Sequence, residues 1–226
     1  MKWSNYIKLY NESENPASTV FHRYFSKNLA KIIVFFSIKF GFSANFISLM
    51  SFVFILVGSI SLVLFNDILV FIISTQLSYG FDCSDGVVAR INKTSSDFGK
   101  FLDLLLDRLN QFIFFGSTIF YFIINFHYNL LSITIILISV SLYFLYSVSA
   151  MLRGFVFKTN RGKGIEVLNI VSFLIKIIYE FIDTGICMLI ISLSLIFNLY
   201  FEIITFYGII SFILILGNVY KAHSIK

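Results

Sequence analysis

Long apolar runs dominate the pattern of hydrophobic and polar positions along the chain. Each run is near or above the ~20 residues that an α-helix needs to cross the hydrocarbon core of a bilayer. A membrane β-barrel would instead show alternating segments of ~10 residues. The pattern therefore predicts an all-α integral membrane protein with six transmembrane helices, at 46–65, 68–89, 101–124, 130–152, 169–197 and 201–220.

The segment before the first predicted span has a different pattern. Arg23, Lys27 and Lys31 recur every four residues, opposite a row of apolar side chains. The apolar part ends at residue 41 and is too short and too often interrupted by lysine to cross a bilayer. We expect an amphipathic helix that lies in the cytoplasmic interface. Asn15 and Pro16 suit its start, as the N-cap and the first helical residue.

Composition agrees with this organisation and adds little to it. Of the 226 residues, 58% are hydrophobic and only 13% are charged, whereas soluble domains average about 25% charged residues. A soluble globular class is excluded. The chain is predicted to have two parts: residues 1–44 form a cytoplasmic N-terminal segment with the juxtamembrane helix, and residues 45–226 form the six-helix transmembrane domain.

The distribution of basic residues predicts the orientation in the membrane. Lys and Arg cluster before the first span, at 90–100, at 153–163 and at the C-terminus, while the turns at 66–67, 125–129 and 198–202 contain none. Cytoplasmic loops carry this excess of basic residues. We expect a multi-pass protein of the inner or cell membrane with both termini in the cytoplasm. The basic residues that give the net charge of +5 are then expected to attract anionic lipid headgroups. No nucleic acid is expected as a partner.

Acidic residues concentrate where the second and third predicted spans meet. Residues 81–111 read FDCSDGVVARINKTSSDFGKFLDLLLDRLNQ and contain five of the 12 acidic residues. Asp82 and Asp85 are three apart and Asp103 and Asp107 are four apart, so each pair shares one helix face. The connection between the spans is short. We therefore predict that four carboxylates converge at the cytoplasmic edge of the membrane.

Four carboxylates at this depth need a positive partner. Carboxylate ligands select Mg²⁺, Mn²⁺ or Ca²⁺ over zinc and copper, and four can hold two ions about 4 Å apart, as in two-metal phosphoryl transfer. Gly86, Ala89 and Gly99 leave room for a ligand near the helix backbones, and Arg90 offers a planar fork for a phosphate. An ion or proton pathway in a non-enzymatic transporter is the alternative.

The same positions resemble the signature of the CDP-alcohol phosphotransferases, or CDP-alcohol phosphatidyltransferases. The similar layout covers most of the chain, with an interfacial N-terminal helix, six spans and the signature across spans two and three. Where the family tends to have Pro-Asn near the start of span one, this chain has Ala44-Asn45. The matching pattern is Asp82-x-x-Asp85-Gly86-x-x-Ala89-Arg90, eight residues, then Gly99-x-x-x-Asp103-x-x-x-Asp107.

The resemblance implies an enzyme of phospholipid biosynthesis that transfers a substituted phosphate. Members displace CMP from a CDP-linked alcohol, often CDP-diacylglycerol, with the hydroxyl of an acceptor alcohol. Asp82, Asp85 and Asp103 would be the chief ligands of two Mg²⁺ or Mn²⁺ ions, and Asp107 would be the general base that also contacts a metal. The implied CDP-binding set is Asp82, Asp85, Gly86, Ala89, Arg90 and Gly99.

The identity of the acceptor stays open at this stage. Relatives that use glycerol phosphate or inositol phosphate tend to carry a Ser-Tyr-x-Lys-x-Arg-like run near the end of span four. Here the stretch reads YSVSAMLRGF, with Met151 in place of the lysine. The candidate acceptor-binding residues are Arg153, Lys158, Arg161 and Lys163.

Two further alternatives use the same signature. A transferase of the CDP-choline or CDP-ethanolamine type would pass its phosphate to a lipid or glycan hydroxyl, and a catalytically inactive scaffold would keep the motif by descent. The resemblance also implies a homodimer.

Overall fold

The computed structural model describes residues 3–13, 19–126, 129–156 and 177–224. Throughout these ranges the regular structure is helical, and none of the described residues lies in a β-strand. The elements are α1 Trp3–Ser13, a π-helical turn His22–Ser26, α2 Lys27–Phe40, α3 Ala44–Phe65, α4 Ile68–Ile91, α5 Asp97–Asn125, α6 Leu130–Val156, α7 Thr184–Ile196 and α8 Tyr200–Ser224. The all-α class predicted from the sequence is confirmed.

Three of the described helices are long and apolar enough to cross a membrane, namely Ala44–Phe65, Leu130–Leu152 and Tyr200–Tyr220. They correspond to the first, fourth and sixth predicted spans. Helices α4 and α5 have 24 and 29 residues, which is sufficient length for a bilayer, but the signature aspartates and their polar neighbours reduce their apolar character. For these two helices, membrane crossing stays a prediction.

The fifth predicted span, 169–197, is not one continuous helix where it is described. Residues 177–181 are helical, and a new helix begins at Thr184. Asp183 caps that helix by accepting a hydrogen bond from the backbone N–H of Gly185 at 3.1 Å. Asp183 also accepts hydrogen bonds from the hydroxyls of Thr19 at 3.0 Å and Tyr79 at 3.2 Å. The break is therefore stabilised by contacts with two other segments.

The amphipathic segment before α3 is helical from residue 20 to Phe40, with the π-helical turn inside it. It ends at Gly41, whose φ of 74° lies in the left-handed region that glycine adopts without a steric penalty. Asn15 and Pro16, the predicted start, lie outside the described residues. The location of this helix in the membrane interface stays a prediction.

Helix α1 was not expected from the sequence. Its Tyr6 and Tyr10 are fully buried and belong to a small apolar cluster with residues of α2, α3 and α4. The Tyr6 hydroxyl also donates a hydrogen bond to the backbone oxygen of Lys31 at 2.5 Å. The two N-terminal helices therefore pack on the end of α4 that carries the aspartates.

Small residues allow two helix pairs to approach closely. A Cβ added to Gly58 of α3 would lie 2.9 Å from the Cβ of Ser74 in α4, and one added to Gly208 of α8 would lie 2.6 Å from that of Ser139 in α6. Such small-residue contacts are common between helices in membranes. The outer surface of the bundle is apolar, and Leu64 and Leu130 are 68% and 80% exposed. This surface suits contact with lipid.

Loop charges lead to a prediction on topology. In a background with Cys83 and Cys187 changed to alanine, a cysteine at Lys93 should react with impermeant thiol reagents only from the cytoplasmic side. A cysteine at Asn129 should react only from the opposite side, because the two positions lie at opposite ends of α5. Labelling of both positions from the same side would contradict the predicted orientation.

Candidate active site

The site is formed where α4 ends and α5 begins. Helix α4 ends at Ile91, and Lys93 in the turn has a φ of 55°. Ser96 is the N-cap of α5, and its hydroxyl accepts a hydrogen bond from the backbone N–H of Gly99 at 3.0 Å. Asp97 is fully exposed and pairs with Lys100 at 3.0 Å. This short capped turn places the last turns of α4 beside the first turns of α5.

Three of the four signature carboxylates meet at this junction. One carboxylate oxygen from each of Asp82, Asp103 and Asp107 lies within 4.8 Å of the other two. All three side chains are partly buried. Three convergent carboxylates have the donor chemistry that hard divalent cations prefer. The residues therefore fit a metal site, and the predicted convergence of the two helices is confirmed for these three residues.

Asp85 faces a different partner. It is buried, and one carboxylate oxygen accepts a hydrogen bond from the hydroxyl of Ser48 in α3. The other oxygen accepts a hydrogen bond from the backbone N–H of Gly86 at 2.5 Å. Asp85 does not belong to the group of three described above, and its role as a metal ligand stays a prediction. Ser48 was missed from the sequence because serine is common in apolar helices.

The expected nucleotide-binding residues lie around the same turn. A Cβ added to Gly86 would lie 3.3 Å from an Nη atom of Arg90, and one added to Gly99 would lie 3.6 Å from the side-chain oxygen of Asn45. Ala89 is partly buried. Both glycines therefore border polar groups of other signature positions or of α3. The binding role of these residues stays a prediction.

Arg90 contacts the N-terminal segment. Its Nε donates a hydrogen bond to the backbone oxygen of Ser13 at 2.5 Å. It also lines a cavity of about 130 Å³ together with His22, Lys27 and Cys83. The end of α1 is thus in direct contact with the guanidinium of Arg90, which the sequence predicts to bind a phosphate.

A polar cavity lies next to the carboxylates. Its volume is about 110 Å³, and its walls include Asp82, Asp107, Arg108, Asn110 and Gln111. The last three residues lie outside the signature positions and were missed from the sequence. A signal was present, because Arg108 is the one basic residue in the apolar run 101–124, and polar side chains in such runs mark functional sites.

The candidate acceptor-binding residues follow α6 or lie at its end. Lys158, Arg161 and Lys163 lie outside the described residues, and Arg153 lies in α6 with its side chain outside them. Their role stays a prediction.

Comparison with known proteins identifies the family. No curated protein matches the chain. The sequence model of the CDP-alcohol phosphatidyltransferase family matches residues 42–217, which is most of the chain and includes α3, α4, α5 and the three convergent aspartates. The chain therefore belongs to the CDP-alcohol phosphatidyltransferase family.

Proposed function

We propose that the protein transfers phosphatidyl from CDP-diacylglycerol to the hydroxyl of an acceptor alcohol, with release of CMP, in phospholipid biosynthesis. Membership of the family supports phosphotransfer from a CDP-alcohol. The observation that carries the proposal is the convergence of Asp82, Asp103 and Asp107 at the junction that also holds Gly86 and Arg90.

The carboxylates are proposed to hold divalent cations, Mg²⁺ or Mn²⁺. Asp82, Asp103 and Asp107 are the ligands that the geometry supports best. Asp85 would join them, held by the hydrogen bond that it accepts from the hydroxyl of Ser48. When bound, such cations neutralise charge on a diphosphate. Two ions are proposed because four carboxylates carry more negative charge than a single divalent cation balances.

Asp107 is proposed as the general base. Its carboxylate takes the proton of the acceptor hydroxyl as the hydroxyl oxygen bonds to the phosphorus that carries the alcohol. The bond from that phosphorus to the CMP oxygen breaks, and CMP leaves with its electron pair. A positioned base of this kind suits the reaction because the acceptor hydroxyl is a weak nucleophile until it loses its proton. Asp107 borders the polar cavity, where an acceptor would have room.

The nucleotide is proposed to bind along α4 and the start of α5, at Asp82, Asp85, Gly86, Ala89, Arg90 and Gly99. The two glycines lack side chains that would block the approach of a ligand. Arg90 would exchange its hydrogen bond with Ser13 for one with a phosphate oxygen, since a guanidinium binds phosphate more strongly than a carbonyl.

The donor is tested directly with the purified full-length protein. CDP-diacylglycerol, CDP-choline and CDP-ethanolamine are each incubated with Mg²⁺ and candidate alcohols, and CMP release is followed by mass spectrometry. We expect CMP from CDP-diacylglycerol. CMP release from CDP-choline or CDP-ethanolamine alone would contradict the proposed donor, and its absence with every donor would contradict the proposed reaction.

The contact between Ser48 and Asp85 gives a second prediction. Ser48→Ala removes the hydroxyl that orients this carboxylate, and loss of a residue that hydrogen-bonds to a metal ligand typically lowers metal affinity or activity about 10- to 100-fold. Ser59→Ala is the matched control, because Ser59 is a buried serine of α3 whose hydroxyl has no hydrogen-bond partner among the described residues. Activity is measured as a function of Mg²⁺ concentration for both variants. If the two variants show the same activity and the same dependence on Mg²⁺, a role for Asp85 in metal binding would be contradicted.

Orientation and assembly belong to the same proposal. The active site is proposed to face the cytoplasm, because the connection between α4 and α5 contains Lys93 and follows the positive-inside pattern. A homodimer is proposed from family membership alone. Crosslinking in native membranes that yields only monomer would contradict the dimer.

A further inference from the structure

Helix α3 contacts both helices that carry the aspartates. It packs extensively against α4 and against α5, whereas the backbones of α4 and α5 come close to each other at few positions within the described ranges. Carboxylates of these two helices nevertheless converge, Asp82 from α4 and Asp103 and Asp107 from α5. Beyond the turn that joins α4 to α5, their separation is therefore set largely by how each of them is held against α3.

A buried hydroxyl of α3 is hydrogen-bonded to both of these helices. The side-chain amide nitrogen of Asn110 in α5 donates to the hydroxyl of Ser51 at 2.9 Å. The hydroxyls of Ser51 and of Ser78 in α4 are hydrogen-bonded at 3.2 Å. The three side chains are 1% (Ser51), 2% (Ser78) and 5% (Asn110) exposed. Because water hardly reaches them, they satisfy one another, and the Ser51 hydroxyl links three helices at one point.

The two partners of Ser51 lie next to the aspartates along the chain. Ser78 precedes Asp82 by four residues, and Asn110 follows Asp107 by three. Each partner is therefore about one helical turn from a carboxylate and on the same helix face. Both lie farther from the turn between α4 and α5 than the aspartates do. The contacts of Ser51 thus form a polar layer directly adjoining the layer of carboxylates.

The same face of α3 also reaches the layer of carboxylates. Ser48 lies three residues before Ser51, so the two hydroxyls share one face of the helix. The Ser48 hydroxyl donates a hydrogen bond to Asp85. One face of α3 therefore contacts a carboxylate directly at one turn and, at the next turn, holds the two helices that carry the other carboxylates.

We propose that Ser51 is a positioning residue for the metal site. By holding one residue of each helix, its hydroxyl fixes the distance between the carboxylates of Asp82 and Asp107. A small change of this distance matters, because Mg²⁺ requires near-ideal octahedral geometry with ligand distances of about 2.0–2.1 Å. Groups that hold metal ligands in place accordingly affect metal affinity. This inference rests on the proposed function, since that function assigns the carboxylates to divalent cations.

A purely structural role of Ser51 is the alternative, and it makes a different prediction. Hydrogen bonds between membrane helices often contribute modestly to helix association. If Ser51 only held the bundle together, its loss would lower the thermal unfolding midpoint of the metal-free protein and leave the affinity of the folded protein for metal unchanged. A positioning role instead requires that metal affinity falls.

Binding of Mn²⁺ to the purified full-length protein, measured by electron paramagnetic resonance without any donor, tests the proposal. Ser51→Ala should lower the Mn²⁺ affinity about tenfold, the low end of the range for loss of a group that supports a metal ligand. Ser59→Ala is the matched control, because Ser59 is a buried serine of α3 whose hydroxyl has no hydrogen-bond partner in the described chain. Equal Mn²⁺ affinities of the two variants would overturn the proposal.

A double variant shows whether the effect passes through the shared hydroxyl. Asn110→Ala removes the contact from α5 and should also lower the Mn²⁺ affinity. Since Ser51→Ala already breaks this contact, Ser51→Ala combined with Asn110→Ala should lower the affinity little further than Ser51→Ala alone. If the effects of the two changes multiply, they act independently, and the proposed link through Ser51 is wrong.

Activity is measured beside metal binding so that failure of the proposed reaction is recognised separately. If CMP is released, the Mg²⁺ concentration for half-maximal activity should rise about tenfold in Ser51→Ala, while the donor KM at saturating Mg²⁺ should change little. If no donor yields CMP, a lower Mn²⁺ affinity of Ser51→Ala would still support the positioning role, and the proposed reaction alone would fail. Mn²⁺ binding that Asp82→Asn leaves unchanged would overturn the inference, because the carboxylates would then not hold the metal.

Discussion

Asp107→Asn should lower turnover roughly 10²- to 10⁴-fold, the usual contribution of a positioned general base. Asparagine has nearly the same size as aspartate, so packing at the junction of α4 and α5 should change little. Asp82 and Asp103 keep their carboxylates in this variant, and we expect binding of the CDP-donor and of Mg²⁺ to persist largely intact.

Calorimetry of CDP-donor binding beside the turnover rate decides between the roles of Asp107. Normal turnover in Asp107→Asn would refute its assignment as the base. Loss of donor binding would instead make Asp107 primarily a metal ligand, which its position within 4.8 Å of Asp82 and Asp103 also suits. Asp97→Asn is the control, because Asp97 is exposed on the first turn of the same helix.

Removal of divalent metal should abolish activity altogether. Activity should vanish in EDTA and return with Mg²⁺ or Mn²⁺, while zinc should restore little, because the proposed ligands are all carboxylates. Asp82→Asn and Asp103→Asn should each weaken both metal dependence and donor binding, since a neutral amide is a poorer ligand for a hard cation.

Metal titrations of CMP release check this prediction, with Asp97→Asn again as the variant that should behave like the native protein. Full activity in chelator would refute the metal-dependent reaction. Undiminished donor affinity in both Asp82→Asn and Asp103→Asn would show that the convergent carboxylates do not hold cations that bind the diphosphate.

Much of the site was predictable because the spacing of residues within one helix determines which side chains share a face. The spacing of Asp82 and Asp85 in one helix and of Asp103 and Asp107 in the next defines two faces, and a short turn between two helices leaves those faces close together. Three of the carboxylates do converge. Hydropathy likewise predicted the all-helical class, since the apolar runs depend only on composition along the chain.

Contacts between distant segments could not be predicted in this way. The hydroxyl of Ser48 reaches Asp85 across 37 residues, and the backbone of Ser13 reaches Arg90 across 77. No local pattern encodes such pairs, because they depend on how α1 and α3 pack against α4. The break before α7 has the same origin, as Asp183 bonds to Thr19 and Tyr79.

The sequence by itself determined the helical class and the aspartates at one junction, because periodicity and spacing set which residues share a helix face. Its resemblance to the family signature added the expected reaction. Only the tertiary structure decided which groups share the cavity. Arg108 and Gln111 lie one turn apart on α5, but Ser147 joins them from α6. Asn110 of the same helix donates a hydrogen bond to the hydroxyl of Ser51 in α3 at 2.9 Å, and such a contact depends on how the whole bundle packs rather than on any one segment.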